Sequence, residues 1–150
     1  MKRLLSALSA VLIIVTFLSG CSDFEFNPVG IWRLTEESLY VDDQLIQNEK
    51  KGQDGQYKLD YCFNKSGTGY ITVNGSKTLD FTYKYDGKSV TVYLNDPYSG
   101  IPPEENKSVF ELADNGSLRR IRVQTQEVID DKTKSPVNIE LKEEFILTRQ

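Results

Sequence analysis

The chain predicts an all-β protein, an eight-stranded antiparallel up-and-down barrel, from three observations. From Gly30 onward apolar and polar residues alternate, the period-2 signal of half-buried strands. Asn74-Gly75, Asp86-Gly87 and Asn115-Gly116 punctuate that alternation, and each pair favours a two-residue type I′ hairpin, which needs positive φ at both central positions. Hairpins in series make a meander, and eight strands with one apolar face can close on themselves and lose their exposed edges. A two-sheet sandwich is the alternative. Short links between nearly all neighbours favour the barrel, since Greek-key sandwiches need long crossovers.

The strands are expected at 30–40, 56–64, 68–74, 77–85, 88–95, 107–113, 117–128 and 137–148. In the second, Tyr57, Leu59, Tyr61 and Phe63 share the inner face and Cys62 points outward. The fourth is the clearest, with Leu79, Phe81, Tyr83 and Tyr85 opposite Thr78, Asp80, Thr82 and Lys84. In the seventh, Leu118 is out of phase with Ile121 and Val123, which predicts a bulge at Arg119-Arg120. The last sets Ile139, Leu141, Phe145 and Leu147 against Glu140, Lys142, Glu144 and Thr148. Two long connections remain. Residues 41–55 read as a loop with a helical turn around 44–50. The second, "NDPYSGIPPEENK" at 95–107, is stiffened by three prolines and offers Tyr98 and Ile101 as apolar contacts. Loops of this length are often functional, the alternative being an Ω-loop packed on itself.

Ahead of the barrel the chain begins Met1-Lys2-Arg3, then runs apolar from Leu4 to Leu18, broken only by Ser6, Ser9 and Thr16. That run is short for a membrane span, which needs about 20 residues, and fits the apolar region of a secretory signal. It ends in Leu18-Ser19-Gly20-Cys21, which resembles the lipobox of bacterial lipoproteins. The resemblance implies a signal peptide at 1–20 and Cys21 as first mature residue and lipid attachment point. It also implies a tether over 21–29 and a barrel domain over 30–150. A plain secretion signal with an incidental cysteine is the alternative. One buried acyl chain anchors only reversibly and several anchor stably, so a triacylated Cys21 makes the membrane a partner. Ser22 follows the cysteine where Asp would signal inner-membrane retention, which implies the outer membrane, on its periplasmic or surface-exposed face.

Without the signal, 130 residues remain, enough for one domain. Loss of Lys2 and Arg3 takes the net charge from −4 to −6, which argues against nucleic acid as a partner. There is no histidine, and with Cys21 lipidated Cys62 is the one remaining thiol. Histidine-based nucleophilic triads and His- or Cys-rich metal sites are therefore excluded, and no glycine-rich phosphate loop occurs. The acid pairs Asp42-Asp43, Glu104-Glu105 and Asp130-Asp131 fall in predicted turns, where solvated acids are the expectation and calcium ligation the residual one. No metal, no cofactor and no catalytic residue is expected.

The first predicted strand opens Pro28-Val29-Gly30-Ile31-Trp32-Arg33-Leu34. Gly30-x-Trp32 at the head of an eight-stranded meander resembles the lipocalin-like (calycin) signature, and the whole order over 28–149 resembles the small lipocalin-like lipoproteins of Bacteroidetes. The resemblance implies that Trp32 plugs one end of the barrel and that Arg149, closing the last strand, packs across its ring.

An eight-stranded barrel is just wide enough to be filled by its own side chains or to hold one small ligand. The inward set includes Trp32, Tyr57, Tyr61, Phe63, Phe81, Tyr83, Tyr85, Phe110 and Phe145, enough to fill much of the interior. Five of those nine carry a polar handle that needs a partner, which suits an amphipathic guest. The first expectation is thus a monomeric, non-enzymatic binding lipoprotein taking a small apolar or amphipathic ligand through Tyr57, Tyr61, Tyr83, Tyr85 and Tyr98. The alternative is an interaction lipoprotein with a filled barrel that presents loops to a protein or glycan.

Overall fold

The computed structural model describes residues 26–150. The signal peptide expected at 1–20 and the lipidation site at Cys21 lie outside the described residues. Nine strands follow one another: β1 (Gly30–Val41), β2 (Gln44–Lys50), β3 (Leu59–Phe63), β4 (Thr68–Val73), β5 (Ser76–Tyr85), β6 (Ser89–Asn95), β7 (Lys107–Leu112), β8 (Leu118–Ile129) and β9 (Pro136–Arg149). All pairs are antiparallel between neighbours, and β1 also pairs with β9, which closes an eight-stranded up-and-down barrel. The fold class read from the sequence therefore stands, with β2 as one added strand.

β2 replaces the helical turn expected around 44–50. Val41 pairs with Gln44 across Asp42 and Asp43, both at positive φ, so these two acids make a tight two-residue turn. Asp42 is held in it from β9: its N–H donates to the Glu140 carbonyl and its Oδ1 accepts from the Glu140 N–H. Asn74-Gly75 is the other two-residue turn with both residues at positive φ. At Asp86-Gly87 and Asn115-Gly116 only the glycine is left-handed. There the Asp86 and Asn115 carboxyl or amide oxygens accept backbone N–H bonds from two residues on, the Asx geometry of longer hairpin loops.

The barrel has two unlike halves. At the end holding Trp32, all eight strands pair around the circumference. Towards the other end β1, β8 and β9 run on. The first four residues of β1 pair with β3, while Glu36–Val41 pair with β2. β8 pairs with β7 at only two positions, Glu111↔Arg119 and Leu112↔Leu118, yet with β9 along its whole length. A four-stranded arm, β8-β9-β1-β2, thus overhangs the barrel.

Inside the closed half, Trp32, Phe63, Phe81, Val90, Val92, Phe110, Leu118 and Leu147 are buried in one cluster. Phe63 meets Phe81 edge-on at 5.1 Å and Tyr61 meets Phe110 at 5.3 Å. Gly69 makes room for this packing, since a Cβ there would lie 2.3 Å from the Phe81 ring and 2.4 Å from the Cys62 carbonyl. On the outer surface Arg33 grips Asp60 with two bonds, at 2.7 and 2.9 Å.

Two expectations about facing need correction. Tyr57 precedes β3 and is half exposed, because the strand that was to turn it inward starts only at Leu59. No bulge occurs at Arg119-Arg120: register runs unbroken from Leu118↔Leu147 to Ile129↔Pro136. Ile121 and Val123 consequently face solvent, and Arg120 takes the inner position opposite Phe145. The bulges fall elsewhere, between Leu34 and Glu36, Leu39 and Tyr40, and Ile71 and Thr72.

Candidate functional site

The five tyrosines proposed to contact a ligand do not share one wall. Tyr61 lies within the core, ringed by Phe63, Phe81 and Phe110, and burial raises its pKa. Tyr83 and Tyr85 lie towards the Trp32 end. The Tyr83 hydroxyl donates to the Asn64 carbonyl at 2.6 Å, and its pKa is raised by burial. Tyr85 packs edge-on against Phe26 at 5.4 Å. Tyr57 and Tyr98 stand exposed at the opposite end, Tyr98 almost wholly so, because Asp96 and Ser99 fold the β6–β7 loop into turns that hold it outward. A shallow cleft of about 340 Å³ does bring Tyr83 and Tyr85 together with Phe26 and Pro28.

At that same end Trp32 is buried and its indole N–H donates to the Pro28 carbonyl at 2.8 Å. The Arg149 guanidinium lies 5.9 Å from the Trp32 ring and donates to the Val29 carbonyl at 2.7 Å. Gly30 lies beneath that guanidinium at φ 136°, where a Cβ would sit 3.4 Å from two of its nitrogens. This end of the barrel is plugged by packed and bonded side chains.

Cys62 obeys the strand alternation but is only 8 % exposed. Desolvation raises its pKa, against a hydrogen bond with Tyr70 that lowers it. The outward direction read from the sequence holds, and the open position that it was expected to give does not.

The other end carries what sequence reading missed. Arg120 turns into the barrel from β8, its guanidinium 4.3 Å from the Phe145 ring and 5.9 Å from that of Phe110. Nη1 donates to Ser108 on β7 at 2.9 Å, while Nε is buried with no acceptor among the described residues. Beside it the split between β7 and β8 forms a cleft of about 480 Å³ between Lys107, Ser108 and Val109 on one bank and Arg120, Ile121 and Arg122 on the other. Arg122 has an acidic partner, Glu143 at 3.5 Å. Among the described residues neither Lys107 nor Arg120 has one. The available signal was charge: Arg119, Arg120 and Arg122 stand together in an acidic chain.

A third cleft, about 640 Å³, lies on the outer sheet face among Tyr70, Asp80, Thr82, Tyr93 and Pro103. Among the described residues no group of three or more acidic or cysteine side chains is placed to hold a metal ion. Comparison with protein-family models, curated proteins and solved structures finds no match to this chain.

Proposed function

We propose that the chain is a lipocalin-like envelope lipoprotein, non-enzymatic, whose filled barrel carries binding surfaces on its outside. The observation that carries this reading is the interior: Trp32, Phe63, Phe81 and Phe110 are each at most 3 % exposed and pack as one cluster across the barrel. Interiors packed in this way are as dense as organic crystals and leave few voids larger than a water. A small apolar guest would have to displace several such rings, each costing about 3–5 kcal/mol to remove. The clefts described above lie at the seam, the outer face and the ends of the strands, where a partner meets exposed side chains. Placement on the outer membrane through a lipid on Cys21 rests on the lipobox-like Leu18-Ser19-Gly20-Cys21 and on Ser22 behind it.

Native mass spectrometry of protein purified gently from its host tests the reading. The expected mass is that of the processed chain plus acyl groups, with no further small molecule. A stoichiometric apolar compound travelling with the protein would restore the hollow-barrel alternative. For the anchor, Cys21→Ala is expected to move the protein to the soluble fraction, and a variant still membrane-bound would refute it.

A further inference from the structure

The seam between β7 and β8 is incomplete as a piece of sheet. β7 pairs with β6 along Lys107–Glu111 but reaches β8 only at its last two residues, and among the described residues β8 beyond Arg119 pairs with β9 alone. Both banks of the cleft are therefore strand edges, and unpaired backbone N–H and C=O groups on such edges are a template for another extended chain.

The side chains on the banks sort by face. Arg120 and Arg122 occupy the inner side, in register with Phe145 and Glu143, and Ser108 bonds Arg120 there. Ile121 and Val109 lie on the outer side, 43 % and 44 % exposed, with Lys107. A guanidinium held over two aromatic rings gains about 0.5–2 kcal/mol from them. Burial of its Nε without an acceptor works against that gain. An inward-pointing charge normally discourages edge pairing, so only a strand that brings an anion can pair beside Arg120, which is turned inward and half-buried. It is a cation set in place before its anion.

The geometry points to the β7–β8 seam as a strand-addition site for an extended partner peptide that alternates acidic and apolar residues. The acids, at every second position, would face Arg120 and Arg122. The apolar residues between them would lie beside Val109 and Ile121, and the peptide backbone would bond the free strand edges. This partner class deepens the filled-barrel reading, in which binding happens on the outside. Period 2 is what distinguishes the site from a simple basic patch, since its two guanidinium groups and its apolar groups lie on opposite faces of one added strand.

Titration of the full-length chain in detergent tests the proposal with four probes: acetyl-(Glu-Val)4-amide, acetyl-(Lys-Val)4-amide, acetyl-(Glu-Pro)4-amide and polygalacturonate. The Glu-Val peptide is expected to bind saturably and to shift the backbone amides of Lys107–Phe110 and Arg120–Gln124. The Glu-Pro peptide keeps the charge but loses every second N–H, all those of one strand edge, and is expected to bind about tenfold or more weakly, as is the Lys-Val peptide. Arg120→Gln is expected to weaken Glu-Val binding about tenfold or more. Val109→Ser, on an exposed outer side chain that would lie beside the peptide's apolar residues, is expected to weaken it severalfold. Absence of Glu-Val binding overturns the proposal, and so does unchanged affinity in Val109→Ser. Equal affinity for Glu-Pro or polygalacturonate overturns it too, leaving an anion site without strand addition. The mass measurement above can fail while this titration succeeds, and the reverse, so the two readings fall separately.

Discussion

The closed half of the barrel and the arm that overhangs it share β1, β8 and β9 and obey opposite rules. Leu118 and Leu147 face each other across β8 and β9 and are essentially inaccessible. One inward position further along, the same pairing sets Arg120 opposite Phe145, and beyond it Arg122 opposite Glu143. In the closed half, eight strands enclose a volume that only apolar side chains fill well. In the arm, the inner face no longer has an opposite wall, so cations and carboxylates are tolerated there. The same β8–β9 hairpin is thus structural at one end and available for contact at the other.

The largest effect that would sharpen this contrast comes from the plug. Trp32→Ala is expected to destabilise the protein by about 3–5 kcal/mol, as removal of a fully buried large ring does, measured by denaturant unfolding. A loss below about 1 kcal/mol would mean that the closed end is not tightly packed. Gly69→Ala comes next. A Cβ at 2.3 Å from the Phe81 ring and 2.4 Å from the Cys62 carbonyl has no space, so a cost of about 1–3 kcal/mol is expected for the overpacking.

The order of strands and the closed-half core were legible because a core enforces alternation. Leu79, Phe81, Tyr83 and Tyr85 could only be one face of a strand, and a one-residue slip would have exposed all four. The arm lacked that constraint. β2 is exposed along its entire length, so it shows no buried stripe, and its turn uses Asp42-Asp43 where Asn-Gly would have announced it. Leu118 is out of phase with the apolar Ile121 and Val123, which points to a bulge, yet unbroken pairing with β9 leaves Ile121 and Val123 outside and their arginine neighbours inside. The cationic seam was hidden by this inversion. Tyr57 was misplaced for the related reason that β3 begins two residues after it.

Two smaller effects separate inside from outside more finely. Asp60→Asn removes the carboxylate that Arg33 holds with two bonds on a largely covered surface, and a loss of about 1–3 kcal/mol is expected. Recovery of that loss in the Arg33→Gln/Asp60→Asn double variant would show that the stranded guanidinium caused it. On the arm, Val123→Ser is expected to stay within about 0.5 kcal/mol of the parent, as exposed substitutions do. A larger loss would mean that the arm's outer face is covered. Cys62, outward but buried, is expected to alkylate much more slowly in the folded protein than in denaturant, because both access and thiolate formation are suppressed.

Native-state hydrogen exchange read residue by residue along β8 and β9 tests the two-halves account most directly. Amides around Leu118 and Leu147 are expected to exchange only through global unfolding, while those of β8 on the edge facing away from β9, from Ile121 to Ile129, exchange through local opening at far lower free energy. Uniform, global-level protection along the whole of β8 would contradict the account, because it would mean that the seam is already paired and the arm is part of the closed barrel.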